Sequence, residues 1–315
     1  MGKIGIALGS GGARGLAHIG VLEELAAMDI HPDFVAGTSI GSLVGAGYCT
    51  GNLEEMKALA LEMDVRTFLF RFMDFGFPHS GIIEGKRIND MLEELMPEAT
   101  FEELNIPLRC IATELKSGEE IVFSTGKLQP AIRASISIPG VFAPAQHEGR
   151  ILVDGGLVNP IPVDQARDMG AEIILAVDVN QGCLQQQVAP RKPSRKPNGK
   201  LGEWLGKLED KWREKDSERL EKIKEWFEPN PLPNLVDVMG GTIHIIENQV
   251  GRMRLKLDKP DLLLAPEVGD MEMFDFHHAE ELIKAGRNCV RENADKIRAC
   301  CQRESRDSNT AARRL

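Results

Sequence analysis

Residues 34–41 read Phe-Val-Ala-Gly-Thr-Ser-Ile-Gly. The apolar run Phe34–Ala36 predicts a short buried strand, and the small residues of Ile40–Tyr48 predict a helix that packs closely on a sheet. Two glycines, Gly37 and Gly41, flank Ser39 and allow the sharp strand-to-helix turn of a nucleophile elbow. We therefore predict that the Ser39 hydroxyl is held out at the carboxyl end of this strand, where the start of a helix favours negative charge.

A second unit of strand, loop and helix precedes the first. Ile4–Leu8 predicts a buried strand, Gly9–Gly15 is a glycine loop, and Leu16–Met28 has apolar residues at helical spacing. Successive glycine N–H groups at the start of a helix form a cradle for an anion. On its own, the loop would favour a nucleotide site.

Three kinds of anion site compete for the glycine loop. A P-loop would end in Gly-Lys-Ser/Thr, whereas this loop ends in Ala-Arg-Gly. A dinucleotide site would have an acid at the end of the second strand, and Ala36–Ser39 contains none. An oxyanion hole is the one alternative that uses the neighbouring serine.

The third constellation is Asp154-Gly155-Gly156, which follows the predicted strand Ile151–Val153. Taken alone, it would indicate an aspartate that opens a glycine turn. All three constellations fall at carboxyl ends of strands, where an α/β sheet presents its active site. We therefore expect Asp154 and Ser39 to share one crevice.

The histidines give no clear partner for Ser39. His244, His277 and His278 come late in the chain but follow no obvious strand, and we interpret His18 as a packing residue of the first helix. A triad hydrolase needs such a histidine, usually after the acid. An aspartate that acts directly as the base on Ser39 would need no histidine.

The alternation of strands and helices predicts a three-layer α/β domain, with a mostly parallel central sheet and helices on both faces. Further elements are predicted as strands at Leu108–Thr113, Glu120–Ser124, Ile173–Val179 and Leu262–Ala265, and as helices at Leu235–Leu255 and His278–Cys300.

Composition divides the chain. We expect a catalytic core over residues 1–180, a charged insertion over 181–233, elements that complete the domain over 234–301 and a polar tail over 302–315. All three tryptophans lie in the insertion, and residues 201–227 predict an amphipathic helix. Two interpretations stay open for it: a helix packed on the domain surface, or a cap that meets lipid.

The net charge of −10 and the aromatic content of 5% are unfavourable for binding nucleic acid, which calls for basic and stacking surfaces. The six cysteines form no CxxC pair, so we expect free thiols. The chain starts without a signal-peptide apolar region and has no run long enough to span a membrane. We expect a cytoplasmic protein, and any contact with the inner membrane face to be peripheral.

With these residues in view, the sequence resembles the patatin-like phospholipase family, particularly its bacterial members. The resemblance rests on four ordered blocks within residues 4–180: the glycine loop ending in Gly11–Gly15, the nucleophile motif Gly37–Gly41, the block Ala134–Pro144, and Asp154–Gly156. Four blocks in order are more specific than any one motif.

The resemblance implies a Ser–Asp dyad hydrolase that cleaves acyl chains from lipid esters without metal or cofactor. It implies that Ser39 attacks the ester carbonyl, that Asp154 takes the serine proton, and that the N–H groups of Gly11 and Gly12 bind the oxyanion. Arg14 matches a basic position that either meets a substrate phosphate or supports the loop. Plant-type members carry Asp where this chain has Gly9.

Two alternatives belong to other functional classes. In the first, the glycine loop binds a nucleotide, and Ser39 and Asp154 are incidental. In the second, the fold is a scaffold without activity that works through the tryptophan-bearing insertion.

Overall fold

The computed structural model describes residues 2–63, 85–181, 235–269 and 271–302. Its eight described strands form one sheet. They are β1 (Ile4–Leu8), β2 (Phe34–Thr38), β3 (Leu108–Glu114), β4 (Glu120–Phe123), β5 (Ala145–His147), β6 (Arg150–Asp154), β7 (Ile173–Val177) and β8 (Leu262–Leu264).

The described α-helices lie between and after these strands. They are α1 (Ala17–Ala27), α2 (Ile40–Cys49), α3 (Leu53–Leu61), α4 (Lys86–Leu95), α5 (Leu128–Ser135), α6 (Val163–Asp168), α7 (Leu235–Asp258), α8 (Ala279–Glu292) and α9 (Ala294–Cys301). No described helix combines the length and the apolar character needed to cross a membrane.

The sheet has the order β5-β6-β3-β2-β1-β7-β8, with β4 also paired to β3. Strands β3, β2, β1, β7 and β8 are parallel to one another. Strands β4, β5 and β6 introduce the antiparallel pairings. The centre of the sheet is therefore parallel, as predicted, and one side is mixed.

Helices cover both faces of the sheet. The side chains of β1 alternate, so that Ile6 and Leu8 join a large core whereas Ala7 joins a smaller one on the opposite face. The large core includes buried side chains of α1, α2, α4, α5 and α8, and the small core those of α6. This arrangement confirms the expected three-layer α/β architecture.

One predicted helix differs in the structure, and another predicted helix falls on residues that the structure does not describe. The single final helix predicted over His278–Cys300 is two helices, α8 and α9, which meet at Asn293. The backbone of Asn293 (φ −104°, ψ 12°) departs from helical values, and its side-chain amide donates to the Cys289 carbonyl (2.9 Å). The amphipathic segment predicted at 201–227 lies outside the described residues.

Helix α8 packs very closely on α1 through two glycines. A Cβ atom on Gly286 would collide with the Ala17 carbonyl, and one on Gly20 would collide with the Ile283 carbonyl. This contact fixes the amino end of α8, and with it residues 271–278, which lead from β8 into that helix. We call residues 271–278 the strap.

Candidate active site

Ser39 lies between the last residue of β2 and the first residue of α2. Its backbone has φ 57° and ψ −125°, a conformation that costs energy for any residue with a side chain. Both flanking glycines are required, since a Cβ on Gly41 would collide with the Leu8 carbonyl and one on Gly37 would meet the backbone at Gly41. The predicted strand–turn–helix geometry at Ser39 is therefore present.

The turn is held by two other serines. The Ser39 N–H donates to Ser135 Oγ (2.9 Å), and the Ser135 hydroxyl donates to the Ile111 carbonyl (2.5 Å). Ser42 Oγ donates to the Gly37 carbonyl (2.7 Å) and lies 2.8 Å from Ser135 Oγ. Ser135 belongs to the block Ala134–Pro144, and its sequence context predicts no contact with Ser39. Only the chain fold shows that it contacts the Ser39 turn.

Asp154 lies directly beside Ser39. The Ser39 hydroxyl donates to Asp154 Oδ2 at 2.5 Å, and the Gly156 N–H donates to Asp154 Oδ1 at 2.8 Å. Two hydrogen bonds also hold the backbone of Asp154. Its N–H donates to the Ser137 carbonyl (2.9 Å), and its carbonyl accepts from Thr113 Oγ1 (2.8 Å). The two side chains that the sequence placed in one crevice are thus in direct contact.

The route by which Asp154 reaches Ser39 differs from the one expected. As predicted, Asp154 lies at the carboxyl end of its strand, but that strand, β6, runs antiparallel to β3. Strand β3 extends beyond β2, and β6 pairs with that outer part from the opposite direction. On β3, Ile111 pairs with Thr38 of β2, and the next residue, Ala112, pairs with Asp154 of β6. Asp154 therefore lies beside the turn that follows Thr38.

Burial of Ser39 and Asp154 raises the pKa of the Asp154 carboxyl group. Ser39 is 4% exposed and Asp154 is 1% exposed. Removal from water raises the pKa of Asp154 to about 7, against the opposing effect of hydrogen bonds from Ser39 and Gly156. A carboxyl group with a pKa near neutrality can both accept and return a proton under physiological conditions.

The glycine loop passes the same site. Gly9 and Ser10 donate their N–H groups to the Val177 and Pro160 carbonyls, and Ala13 donates to the Met273 carbonyl of the strap (2.8 Å). Within the described part of the chain, the N–H groups of Gly11 and Gly12 have no acceptor. Gly12 has φ 59°, and a Cβ there would collide with Met273. Two adjacent backbone donors therefore remain available in the loop.

Arg14 belongs to the glycine loop, and its side chain is buried, with 1% of the residue exposed. Its Nε donates to the Gly11 carbonyl (3.3 Å), and its Nη2 lies 3.1 Å from His244 Nδ1 on α7. Because arginine can only donate, His244 Nδ1 is the acceptor. Burial, and then the Arg14 charge, lower the pKa of His244 to about 4, so this imidazole is neutral.

The structure also places His18, His277 and His278. His18 Nε2 donates to the Gly9 carbonyl (2.8 Å), and burial lowers its pKa to about 4, in agreement with a packing role. His277 and His278 lie at the amino end of α8. Across the described ranges, no histidine forms a hydrogen bond with Ser39 or Asp154.

An apolar cavity begins at Ser39 and Gly12. Its empty space, open mouth included, is about 870 Å³. Helices α2, α3 and α4 and the strap supply most of its wall. Besides Ser39 and Gly12, it is lined by Leu16, Ile40, Leu43, Val44, Met56, Leu59, Ala60, Met63, Ile88, Met91, Leu95, Ile136, Ile138, Phe142, Met273, Phe274 and Phe276. The site therefore combines one polar pair with a long apolar surface.

Comparisons with known proteins agree with this architecture. The family described as patatin-like phospholipase matches residues 6–167. An uncharacterised NTE family protein of Mycobacterium bovis is 30% identical, over 90% of this chain and 89% of its own length. The protein named neuropathy target esterase sws of Drosophila melanogaster is 33% identical over 56% of this chain, which corresponds to 13% of that protein.

A solved structure shares the fold. VipD from Legionella pneumophila superposes with a TM-score of 0.56 and 10% sequence identity, covering 94% of this chain and 67% of its own.

The buried carboxyl group of Asp154 should reduce stability as the pH rises. Its pKa is raised by folding, so the unfolded chain loses this proton near pH 4 and the folded chain only near pH 7. Between these values each pH unit lowers the free energy of unfolding, by up to about 1.4 kcal/mol. Asp154→Asn should remove the part of this decline that Asp154 causes and leave the part due to the other buried carboxyl groups of raised pKa, Asp178 and Glu247. Urea denaturation at pH 4.5, 6 and 7.5 would measure the difference in slope.

Ser39→Ala is the matched control, because it keeps the carboxyl group and should keep the decline with pH. An Asp154→Asn variant whose stability follows the same pH dependence as that control would contradict the raised pKa.

Proposed function

The chain belongs to the patatin-like phospholipase family, and we propose that it is a serine acyl hydrolase that cleaves lipid esters through a dyad of Ser39 and Asp154. The observation that carries this proposal is the 2.5 Å hydrogen bond from Ser39 Oγ to Asp154 Oδ2. The bond connects a strained, buried serine to a carboxyl group of near-neutral pKa. A hydroxyl group beside such a base is an activated nucleophile.

In the proposed acylation step, Ser39 Oγ attacks the ester carbonyl carbon while Asp154 Oδ2 accepts the hydroxyl proton. The Gly156 N–H keeps the other carboxylate oxygen in place. The tetrahedral intermediate collapses, the bond to the alcohol oxygen breaks, and Asp154 returns the proton to that oxygen. The products of this step are a free alcohol and an acyl-serine.

In the proposed deacylation step, water attacks the acyl-serine and Asp154 accepts a proton from it. Collapse of the second intermediate releases the carboxylic acid, and the proton returns to Ser39 Oγ. Both intermediates carry an oxyanion. The N–H groups of Gly11 and Gly12 are the donors that we assign to it, because they are adjacent and have no other acceptor in the described structure.

For Arg14, of the two roles that the resemblance left open, we propose support of the glycine loop. The guanidinium is buried, and its N–H groups donate hydrogen bonds to the Gly11 carbonyl and to His244. By holding the Gly11 carbonyl on the inner side of the loop, it keeps that peptide group in one orientation. Contact with a substrate phosphate would require an exposed guanidinium.

The geometry of the loop weighs against the nucleotide alternative. A phosphate cradle uses several successive N–H groups at the start of a helix. Here the Ala13 N–H is bonded to Met273, and the Met273 backbone packs against Gly12. Two free donors suit a single oxygen atom better than a diphosphate.

The apolar cavity supports a lipid acyl chain as the group that is transferred. It starts at Ser39 and continues between α3, α4 and the strap. Burying one methylene group stabilises a complex by about 0.8 kcal/mol, so a cavity of this kind favours long chains over acetyl groups. Four methionines, Met56, Met63, Met91 and Met273, line it and can adapt to chains of different shape.

Substitution of the dyad tests the proposed function. Ser39→Ala should reduce hydrolysis of long-chain p-nitrophenyl esters and of lysophospholipids to background, because no nucleophile remains. Asp154→Asn should be nearly as inactive, because an amide cannot accept the proton. Steady-state kinetics on both variants, with circular dichroism to check folding, provide the measurement.

Retained turnover in a folded Ser39→Ala variant would rule out the assignment of the nucleophile. Substantial turnover in Asp154→Asn would indicate a different base for Ser39.

Blocking the apolar cavity tests the substrate class. Ala60 on α3 is buried and lines the cavity, so Ala60→Phe should fill space that a long chain needs. We expect kcat/KM for a palmitoyl ester to fall by at least about tenfold, with an acetyl ester affected much less. The ratio of the two values, measured on the same enzyme preparation, is independent of the active fraction.

Ala58→Phe is the matched control, since Ala58 lies on the same helix but faces solvent. An unchanged palmitoyl-to-acetyl ratio in Ala60→Phe would show that the acyl chain binds elsewhere.

A further inference from the structure

Glu247 on α7 is a buried carboxyl group at the back of the proposed dyad. It is 4% exposed, and its Oε1 packs so closely on Gly156 that a Cβ atom there would collide with it. Its Oε2 has no hydrogen-bond partner among the described residues. Gly156 is the residue whose N–H donates to Asp154 Oδ1, so Glu247 directly supports the turn that orients Asp154.

The groups that face Glu247 come from every element around it. Asp154 comes from the end of β6, Arg14 and Ser10 from the glycine loop, and Asp178 from the end of β7. Removal from water is the largest reason that the pKa of Glu247 is raised. The charge of Asp154 raises this pKa as well, whereas the charge of Arg14 lowers it. Two buried carboxyl groups this close resist carrying two negative charges at once, so the pair loses its first proton at a lower pH than its second.

The other side of Glu247 lines a polar cavity, together with Asp178, Asn180, Asn248 and the exposed Arg252. The side-chain amide of Asn180 donates to the Ser10 carbonyl, and that of Asn248 donates to the Asn180 carbonyl. Both amide oxygens are buried without a donor among the described residues. A polar space with unsatisfied acceptors suits water, which can carry protons to and from Glu247.

We propose that Glu247 is a positioning residue for Asp154: its carboxyl group packs against the Gly155-Gly156 turn and so holds the N–H group that orients Asp154. This inference rests on the proposed function of Ser39 and Asp154. When Glu247 ionises, a second negative charge stands beside Asp154 while the oxyanion of the tetrahedral intermediate develops. Like charges in a buried site disfavour that intermediate, so the rate falls.

The pH profile of kcat/KM tests the inference. The wild-type kcat/KM should rise as the Asp154–Glu247 pair loses its first proton and should fall, by about tenfold per pH unit, as the pair loses its second. Glu247→Gln has nearly the same shape but cannot ionise. It should keep the acid limb and lose the alkaline fall, so that its kcat/KM at pH 9 exceeds that of the wild type about tenfold.

Glu247→Ala separates the supporting role from the charge. Removing the carboxyl group leaves the Gly156 turn without support, so kcat at pH 7.5 should fall about tenfold with little change in KM, whereas Glu247→Gln should restore kcat. The matched control is Asp258→Asn. Asp258 is a carboxyl group of raised pKa on the same helix, about 16 Å further along, and its substitution should leave the profile unchanged.

An alkaline limb in Glu247→Gln identical to that of the wild type would overturn the inference, as would equal kcat values for Glu247→Ala and Glu247→Gln. If Glu247→Ala does not fold, the pH profile of Glu247→Gln decides alone. Failure of the proposed function looks different. In that case the wild type shows no turnover that depends on Ser39, whatever the residue at position 247.

Discussion

The hydrogen bond between Ser39 and Asp154 is the interaction on which the rest of this site depends. It requires Ser39 to adopt a backbone conformation with positive φ, which Gly37 and Gly41 permit and the Ser42–Ser135 pair holds. It also requires β6 to enter the sheet antiparallel to β3, so that Asp154 ends level with the turn. Strands β2 and β6 thus run in opposite directions, and the residues at their carboxyl ends, Ser39 and Asp154, are joined by this hydrogen bond.

Burial makes that bond chemically useful and energetically costly. Excluding water raises the pKa of Asp154 toward neutrality, and the same exclusion makes any nearby charge more influential. Helix α7 contributes His244 and Glu247 to the back of the site, where the neutral imidazole accepts from Arg14 and the Glu247 carboxyl packs on Gly156. The environment of the dyad is therefore built by residues far from it in sequence.

Sequence reasoning predicted the parts of the fold that local patterns determine. The glycine loop, the turn at Ser39 and the parallel centre of the sheet each follow from strand, glycine and helix signals within a few residues. The direction of β6 was not predicted, because a short apolar run has the same pattern in parallel and antiparallel pairing. Ser135 and Glu247 were assigned no role, since their contacts with Ser39 and Gly156 depend on chain crossings that no local pattern encodes.

Covalent labelling by a fluorophosphonate probe tests the central claim most directly, because the probe reacts with an activated serine without any assumption about the lipid. Intact-protein mass spectrometry and peptide mapping would be carried out on the wild type and on Ser39→Ala. We expect a single adduct on Ser39 of the wild type and none on the variant. A folded wild type that forms no adduct, or an adduct on another serine that persists in Ser39→Ala, would contradict the account.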